Sequence, residues 1–383
     1  MRQVYITVLL TVFFNSTNSF ANTINVKLFN KFNIKTMMIS PVEGKYELTT
    51  SKGRTYKIKK NGIIYFTLIR DSISVWNMNS QLGVFKWVSF SGVAHTNAFK
   101  IEPAYPALPP RYYEGNVTVN AGNKGFEIIN TISMDSYLAG VVEAESGPNA
   151  PYEFYKSQAI ISRTYLLELI IRQGIDNYKI GDDVGHQVYK GMSLKNPLIK
   201  QAVTHTTNLV IVDTTGKLIT AAFHSNSGGQ TANSEDVWLS ETPYLKATPD
   251  PFSLKQNNTL WQDTILVSDW LDYLEQNGID VTTNSAKLDN LFFEQNSRKK
   301  YYFYNNDTIL LRKIRHDFKL RSTWFSIKPE GNYLVFSGKG YGHGVGLSQE
   351  GAMQMARQNY SFLDIINYYY KNVKVVNYNS LLQ

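Results

Sequence analysis

The chain has 383 residues, of which 43% are hydrophobic and 18% charged, so it can bury a full core, and its length suggests two or so globular domains. It contains no cysteine, which excludes a disulfide framework, a thiolate metal site and a lipoprotein anchor. The formal net charge of +8 suits polyanions such as cell-wall polymers, acidic glycans or lipid headgroups, and equally suits a solubilising surface. No basic helix or zinc-finger spacing is present, so nucleic acid is not an expected partner.

Residues 1–21 have the pattern of a cleavable secretory signal. Arg2 precedes the apolar run VYITVLLTVFF, and Ser19 and Ala21 place small residues at the −3 and −1 sites of a cleavage point. The run is too short for a spanning helix, and no later segment reaches the roughly 20 apolar residues that spanning requires. We therefore expect an exported protein, periplasmic or extracellular and at the cell wall, without a stable membrane anchor.

Residues 22–102 are interpreted as a small, mainly β N-terminal domain. Short alternating runs are separated by Glu43-Gly44, Lys52-Gly53 and Asn61-Gly62, and these turn signals predict hairpins. Residues 103–110 include four prolines, a composition that favours a stiff, extended linker. We place the domain boundary at this linker, so that residues 111–378 form the larger domain.

The larger domain is predicted to mix antiparallel strands with helices, which makes the chain an α+β protein. Two strands around a turn at residues 122–125 lead into a helix that begins after Ser133 or Asp135. The Gly-Pro pair at 147–148 ends that helix, and Pro151 suits the first turn of the next one.

Glu145 occupies an unexpected position in the first helix. It continues the stripe of Leu138, Val141 and Val142, which lie at i, i+3 and i+4 with Glu145 at i+7. Glu143 lies about 200° away at roughly 100° per residue, so it is expected to face water. A glutamate facing a packed interior loses solvation of its charged form, which should raise the pKa of Glu145 toward that of a general acid.

The second helix is predicted to run to about Arg172 and carries cations on an apolar face. Lys156 and Arg163 share that face with Ala159 and Leu167. Arg163 is a candidate partner for a bound anion or for the Glu145 carboxylate. The Glu145 carboxylate can alternatively be held by a backbone amide. The helix pattern leaves a catalytic and a purely structural Glu145 both open.

Two further loops contain histidine. Two strands around a turn at residues 213–216 bring His224 into a Ser/Asn/Gly loop, which can hydrogen-bond sugar hydroxyls or can serve only as a turn. Glycines at 338, 340, 342, 344 and 346 surround His343 and are expected to leave the backbone open to a ligand, ahead of a helix that starts near Ser348. No GK[ST] word follows, so this is not a nucleotide loop. Between the two loops, residues 252–318 form a more variable segment with one predicted helix, VSDWLDYLEQNG, and little chemistry.

The chain from about residue 111 to residue 376 resembles the stage II sporulation protein D family (SpoIID/LytB). Seven words carry the resemblance in the family's order: YLAGVVEAE, SQAIISRTY, HQVYKG, FHSNSGGQTANSEDVW, PYLKATPDP, LRSTWF and GKGYGHGVGLSQEGAMQMA. The resemblance implies a SpoIID-like catalytic domain, similar to enzymes that cleave the glycan strands of peptidoglycan.

Glu145 closes the GVVxxE word, and the resemblance implies that it is the catalytic residue. Family members usually have Met-Pro after this acid, whereas Ser146 and Gly147 follow it here, with Pro148 one place later. The implied activity is that of a lytic transglycosylase without a cofactor, acting on the bond between N-acetylmuramic acid and N-acetylglucosamine. One glutamate protonates the leaving oxygen and then takes the proton of the sugar's own 6-hydroxyl, which leaves a 1,6-anhydro end. By their position in the matching words, nine residues are expected to line the substrate groove: Arg163, Gln187, Tyr189, His224, Ser225, Ser227, Tyr341, His343 and Gln349.

Two alternative functions remain open. The first is a non-catalytic wall-binding protein or an amidase activator, to which some relatives are similar, and it is motivated by the Ser-Gly departure and the extra N-terminal domain. The second is a metal-dependent hydrolase built on His224 and His343. The resemblance implies that some relatives hold zinc with His and Cys. This chain has no cysteine, so we expect no metal here. The expected partners are peptidoglycan glycan strands and another wall hydrolase.

Overall fold

The computed structural model describes most of the chain downstream of the predicted signal. The described residues are 23–94, 96–174, 180–183, 187–238, 240–281, 291–304 and 307–381. The predicted signal segment, residues 1–21, lies outside the described residues, as does His186 at the start of the HQVYKG word.

The first part of the chain forms two antiparallel sheets. Its strands are β1 (Thr23–Leu28), β2 (Thr36–Glu43), β3 (Tyr46–Thr50), β4 (Thr55–Ile58), β5 (Ile64–Ile69), β6 (Ser72–Trp76), β7 (Gln81–Phe85), β8 (Trp87–Gly92), β9 (Ala98–Tyr105), β10 (Arg111–Glu114), β11 (Asn116–Ala121) and β12 (Phe126–Ser133). One sheet has the order β10-β9-β2-β5-β6-β7. The other has the order β1-β12-β11-β8-β3-β4, and β13 (Ile180–Gly181) joins its outer edge in parallel with β1.

The two sheets pack face to face because their strands alternate buried and exposed residues. β1, for example, buries every second side chain. Tyr46 and Phe90, on one sheet, stack with ring centroids 4.4 Å apart, and Phe99 of the other sheet packs edge-on against Tyr46 at 5.8 Å. These aromatic rings fill the space between the sheets and bury large apolar areas.

Two of the predicted hairpin turns have a different role. Gly53 does turn β3 into β4, and residues 122–125 do turn β11 into β12, as predicted. Gly44 and Gly62, however, each lie where the chain crosses from one sheet to the other, because β2 and β5 pair in one sheet while β3 and β4 pair in the other. Those two hairpin predictions were wrong, since a turn signal marks a reversal but not its pairing partner.

The proline-rich stretch at 103–110 connects two paired strands. Residues 103–105 belong to β9, and β9 pairs directly with β10. Strands from both sides of this stretch also share one sheet, since β8 pairs with β11. A domain division at residues 103–110 therefore stays a prediction, and any such division runs through a continuous sheet.

Helices follow the twelve strands and complete the α+β architecture that the sequence predicts. They are α1 (Met134–Ser146), α2 (Tyr152–Gln173), α3 (Pro197–His205), α4 (Ser234–Val237), α5 (Val267–Gln276), α6 (Leu311–Asp317), α7 (Gln349–Arg357) and α8 (Phe362–Tyr369). The remaining strands are β14 (Leu209–Val212), β15 (Phe223–His224), β16 (Leu260–Leu266), β17 (Tyr301–Tyr304), β18 (Asp307–Leu310), β19 (Phe325–Glu330), β20 (Tyr333–Lys339), β21 (Leu347–Ser348) and β22 (Lys374–Asn377). Within the described ranges no helix is long and apolar enough to cross a bilayer.

The ends of α1 and α2 follow the local signals in the sequence. The Ser133 hydroxyl accepts a hydrogen bond from the Ser136 amide at 3.2 Å and caps α1, which ends at Gly147 with φ +70°. Pro151 precedes α2, and Gly174 follows it. The predicted bounds of both helices are confirmed.

Buried apolar residues form two main clusters. The larger one joins both N-terminal sheets to helices α1, α2, α7 and α8. The smaller one surrounds the fully buried Trp270 on α5, beneath the sheet β16-β20-β19. The helix predicted over VSDWLDYLEQNG, residues 267–278, is confirmed and spans Val267–Gln276. The more variable segment thus contributes to a core of its own.

Candidate functional site

Glu145 lies at the C-terminal end of α1, at the point where the buried stripe of that helix reaches the surface. Leu138, Val141 and Val142 are fully buried, and Glu145 is half-buried one turn beyond them. The stripe predicted from the sequence is therefore confirmed. The unpaired carbonyls at a helix C-terminus also disfavour a negative charge there.

The Glu145 carboxylate has one hydrogen-bond donor among the described residues. Its Oε1 accepts the Val188 N–H at 3.0 Å, and its Oε2 makes no hydrogen bond to any described residue. Burial raises the pKa of Glu145, while the Val188 amide and the charge of Lys190 act in the opposite direction. Since burial is the larger effect, the protonated acid is favoured relative to a glutamate in water.

Glu143 does not face water as the helix angle predicts. It is half-buried and accepts hydrogen bonds from the Ser193 hydroxyl at 2.8 Å and from the Leu194 and Lys195 amides at 3.3 and 2.9 Å. The segment after Tyr189 folds over this side of α1, so Glu143 anchors that segment. The prediction of an exposed Glu143 was wrong because helix geometry does not show what packs on the outer face.

Buried glutamines lie beside Glu145. Gln349, at the start of α7, donates its amide to the Glu145 carbonyl at 3.5 Å and to Gln158 Oε1 at 3.4 Å. Gln158 in turn donates to the Ser162 hydroxyl at 3.4 Å, and Gln187 donates to the Ser162 carbonyl at 3.4 Å. The structure thus brings Gln187 and Gln349 together with Glu145. The sequence analysis missed Gln158 and Ser162, although their i, i+4 spacing on a buried helix face was a usable signal.

Arg163 and Tyr189 are buried, and their hydrogen bonds among the described residues go to groups other than Glu145 and these glutamines. Arg163 is 1% exposed and pairs with Asp135 at 3.1 Å, and its guanidinium also donates to the Thr206 carbonyl at 2.7 Å. It is therefore not the partner of Glu145, and it ties α2 to the start of α1. Tyr189 is fully buried, and its hydroxyl donates to Asn130 Oδ1 at 3.3 Å.

Two neutral histidines lie together next to the start of α7. The turn at residues 213–216 forms as predicted, but the strand after it is short, and β15 pairs in parallel with β21. His224 and His343 then have ring centroids 5.6 Å apart. His224 Nδ1 is 3.2 Å from the Val345 carbonyl, and His343 Nδ1 accepts the Val345 N–H at 3.0 Å. Each ring therefore uses its Nδ1 for a main-chain contact with Val345.

Burial lowers the pKa of both histidines, that of His343 to about 4, and neighbouring cations act in the same direction. His224 Nε2 is buried and has no hydrogen-bond partner among the described residues. The described ranges contain no group of three His, Asp or Glu side chains that could hold a metal ion. These two neutral rings are suited to hydrogen bonding with a polar ligand.

Arg298 is a charged neighbour of these histidines that the sequence analysis missed. Its Nε donates to the Gln230 carbonyl at 2.8 Å, its Nη2 donates to the Ser227 carbonyl at 2.6 Å, and its guanidinium lies 4.9 Å from the Trp324 ring centroid. Its Nη1 is buried without a partner, and no carboxylate of the described residues pairs with it. Burial lowers the pKa of Arg298 to about 10, so it stays charged at neutral pH. Arg298 belongs to the short basic cluster at residues 298–300, which has the composition of a solvent-exposed surface, so its burial beside the histidines was not predictable from the sequence.

The remaining predicted groove residues have different degrees of exposure. Tyr341 is 44% exposed. The Ser225 hydroxyl accepts a hydrogen bond from Asn258 Nδ2 at 3.3 Å. Ser227 is fully buried and donates to Asp250 Oδ2 at 2.7 Å, and Tyr369 donates to the other Asp250 oxygen at 3.0 Å. Asp250 is thus an enclosed carboxylate that holds Ser227, and with it the Ser/Asn/Gly loop after His224, in place.

The glycine-dense loop fits tightly against the chain at residues 222–228. A Cβ at Gly346 would lie 2.1 Å from the Ala222 carbonyl oxygen, and one at Gly340 would lie 2.6 Å from the Asn226 carbonyl oxygen. One at Gly338 would overlap the Trp261 ring at 2.0 Å. The expectation that these glycines leave the backbone open to a ligand was therefore wrong for these three positions, where they permit close packing instead.

Gly346→Ala is expected to lower the free energy of unfolding by about 2 to 4 kcal/mol. Its φ of +71° is unfavourable for an L side chain, and the new methyl would also clash with the Ala222 carbonyl. Gly216→Ala is the matched control, because Gly216 has φ +82° with nothing within 4 Å, and should lose only about 1 kcal/mol. Chemical denaturation measures both, and equal losses would show that close packing at Gly346 adds nothing.

Glu145→Gln is expected to become more stable relative to the wild type as pH rises. The folded protein raises the pKa of Glu145 above its ordinary value of 4.5. The stability that the protonated carboxyl contributes is therefore fully present below that value and is lost as pH rises through the folded pKa. Glutamine does not titrate, so the difference in melting temperature should widen as pH rises from below 4.5 through the folded pKa of Glu145. A difference that narrows over this range would contradict the burial of the carboxylate.

Comparison with known proteins assigns the chain to a family. The SpoIID family model, described as Stage II sporulation protein, matches residues 122–212, which include Glu145 and Gln187. Stage II sporulation protein D of Bacillus amyloliquefaciens is 30% identical over 288 residues, which are 71% of this chain and 83% of that protein. The chain therefore belongs to the SpoIID family, which confirms the resemblance found in the sequence.

Two further relatives differ in how much of their length they share with this chain. An uncharacterized protein of Brachyspira hyodysenteriae is 27% identical over 95% of this chain and 96% of its own length, so the N-terminal strands are included. The protein named Amidase enhancer in Bacillus subtilis is 30% identical over 63% of this chain but only 40% of its own length. His224, His343 and Arg298 lie outside the residues that the family model matches.

Proposed function

We propose that this protein is an exported lytic transglycosylase that cleaves the bond between N-acetylmuramic acid and N-acetylglucosamine in peptidoglycan. The observation that carries the proposal is Glu145, a half-buried carboxyl group with a raised pKa in the family's glutamate position. A raised pKa increases the fraction of this carboxyl group that carries the proton a leaving oxygen needs. Export, to the periplasm or the extracellular wall, rests on the signal-like sequence of residues 1–21.

The surroundings of Glu145 support a one-carboxylate route. An ordinary glycosidase needs two carboxyl groups that flank the bond. Glu143 is occupied by the Ser193 hydroxyl and two amides, and Asp250 is enclosed by Ser227 and Tyr369. With both neighbours engaged, Glu145 acts first as the acid and then as the base that takes the proton of the 6-hydroxyl.

The Val188 amide restrains one oxygen of Glu145 and leaves the other available for proton transfer. After the proton has left, the same amide stabilises the carboxylate that then serves as base. The pKa of the group therefore stays between that of a buried acid and that of a free one. This range suits a residue that must lose and regain a proton within one turnover.

The two neutral histidines and Arg298 are proposed to bind the oxygen-rich substrate beside the acid. Gln349 connects their loop to Glu145, since it follows β21 and donates to the Glu145 carbonyl. Tyr341 presents an exposed ring on which a sugar can stack. Gln187 and Ser225 are proposed to act by positioning neighbouring groups.

The second candidate is a non-catalytic role as a wall-binding protein or amidase activator. It is favoured by the likeness to the protein named Amidase enhancer and by the Ser146-Gly147 departure beside the acid. As an activator, the protein would have another wall hydrolase as its partner, and Glu145 would have only a structural role.

Mass spectrometry of the products separates the two candidates. The purified protein is incubated with intact peptidoglycan and with glycan from which the stem peptides have been removed. The proposal expects 1,6-anhydro ends from at least one substrate. Absence of anhydro products from both, together with stimulation of an added amidase, would replace the proposal by the second candidate.

A further inference from the structure

A positively charged cleft lies on the N-terminal part of the chain, formed by other residues than those around Glu145. It has a volume of about 780 Å³. Its walls come from the loop between β1 and β2, the turn after β5 and the turn between β11 and β12. Its charged lining consists of Lys31, Lys35, Arg70 and Lys124, and none of the described residues that line it is acidic.

Main-chain hydrogen bonds hold the walls of the cleft together. The Lys35 amide donates to the Tyr105 carbonyl, and the Leu68 amide donates to the Lys35 carbonyl, both at 2.8 Å. On the other side the Phe126 amide donates to the Ile34 carbonyl at 2.7 Å. A Cβ at Gly125 would lie 2.8 Å from the backbone of the first loop, so the two loops are in close contact. The shape of the cleft is therefore determined by contacts between main-chain atoms.

The protein does not neutralise the charge of the cleft itself. All four cationic side chains are exposed, and none forms an ion pair with a carboxylate of the described residues. Lys100 of the same sheets, by contrast, pairs with Glu102 at 2.7 Å. Four cations around one concavity, without an ion-pair partner among the described residues, attract a ligand of opposite charge.

We infer that this cleft binds a linear polymer that carries phosphate groups. The cations approach from three separate chain segments, so they surround a ligand from several directions. A tetrahedral phosphate presents oxygens in several directions, whereas a carboxylate is planar, and lysine and arginine both bind phosphate readily. A flexible chain can enter a concave surface, whereas a membrane is flat. Tyr105 and Phe32, 62% and 42% exposed, provide apolar walls for the links between charges.

The test measures binding of linear polyphosphate to the full chain by isothermal titration calorimetry at low and at physiological salt. The cleft variant carries K31Q, K35Q, R70Q and K124Q. The matched control carries K57Q, K59Q, K60Q and K217Q, which removes the same four charges from exposed lysines elsewhere. We expect the cleft variant to bind roughly tenfold more weakly or worse at low salt, and the control to bind nearly as the wild type does.

Wild-type affinity should fall as salt rises, because the Debye length is about 8 Å at physiological ionic strength. Equal losses in both variants would overturn the inference, since net charge alone would then explain binding. Equally tight binding of polygalacturonate, a carboxylate polymer, would also overturn the inference. Binding to phosphatidylglycerol vesicles but not to polyphosphate would overturn it too. No binding of polyphosphate by the wild type would overturn it as well. Circular dichroism checks that each variant folds. If the fourfold variant does not fold, the single variant R70Q is measured instead, and a smaller loss of polyphosphate affinity is expected for it.

Discussion

Glu145→Gln is expected to reduce the release of 1,6-anhydro ends from peptidoglycan by roughly a hundredfold to ten-thousandfold, the range typical of general acid–base catalysis. Glutamine keeps the size of the side chain and can still accept the Val188 N–H, so the fold should be retained. It has no proton to transfer at neutral pH and cannot act as a base. Quantitative mass spectrometry of a digestion time course measures the loss.

Glu143→Gln is the matched control for this experiment, because it makes the same chemical change two residues earlier in α1. Glu143 accepts hydrogen bonds from the 193–195 segment, so its loss should cost some stability while catalysis continues. Unchanged release by Glu145→Gln would remove the catalytic assignment. Equal loss in both variants would show that the integrity of α1, and not its acid, is what the reaction needs.

Asp182→Asn is expected to lower the free energy of unfolding by about 2 to 4 kcal/mol. The side chain of Asp182 is 4% exposed and pairs with Arg111 at 2.8 Å. Its two oxygens also accept the Phe29 and Asn30 amides at 2.7 and 3.0 Å. An asparagine places an NH₂ group where one of these donors points, so a buried donor loses its partner. Urea denaturation of the full chain measures the loss.

The same substitution should also lower the rate at the site. The Asp182 carbonyl accepts the Tyr189 amide at 3.2 Å, and the residue before Tyr189 is Val188, which holds Glu145. A looser segment here should reduce kcat more than it changes KM, because the Val188 amide holds the Glu145 carboxylate. Glu127→Gln, an exposed carboxylate 3.9 Å from Lys27 on the same sheet, is the control and should cost less than about 1 kcal/mol. A stable, fully active Asp182→Asn would show that this anchor is dispensable.

The histidine pair adds polar groups near the start of α7 without adding charge. Burial lowers the pKa of His224 and of His343, which favours the neutral form of both rings. Arg298 supplies the positive charge instead, and it remains charged. Charge and hydrogen bonding are therefore carried by different side chains in this region.

Local sequence determined the parts of the fold that depend on neighbours along the chain. Ser133 and Gly147 set the ends of α1 because a cap and a left-handed glycine act within one turn. The stripe of Leu138, Val141 and Val142 placed Glu145 at the edge of the core because a helix repeats every 3.6 residues. The order of the family's sequence motifs could also be recognised, because it depends only on the sequence.

Tertiary structure decided the features that depend on residues far apart in the chain. Glu143 is covered by a segment some 50 positions later, as its bonds to Ser193 and Lys195 show, and no helical period encodes that contact. Arg298 reaches the histidines from a different part of the chain, and Gly346 is glycine because Ala222 lies against it. Periodicity determines which face of an element is buried, whereas only packing determines what covers that face. The sequence therefore predicted Glu145 as the candidate acid, and the structure identified the groups that restrain and surround this side chain.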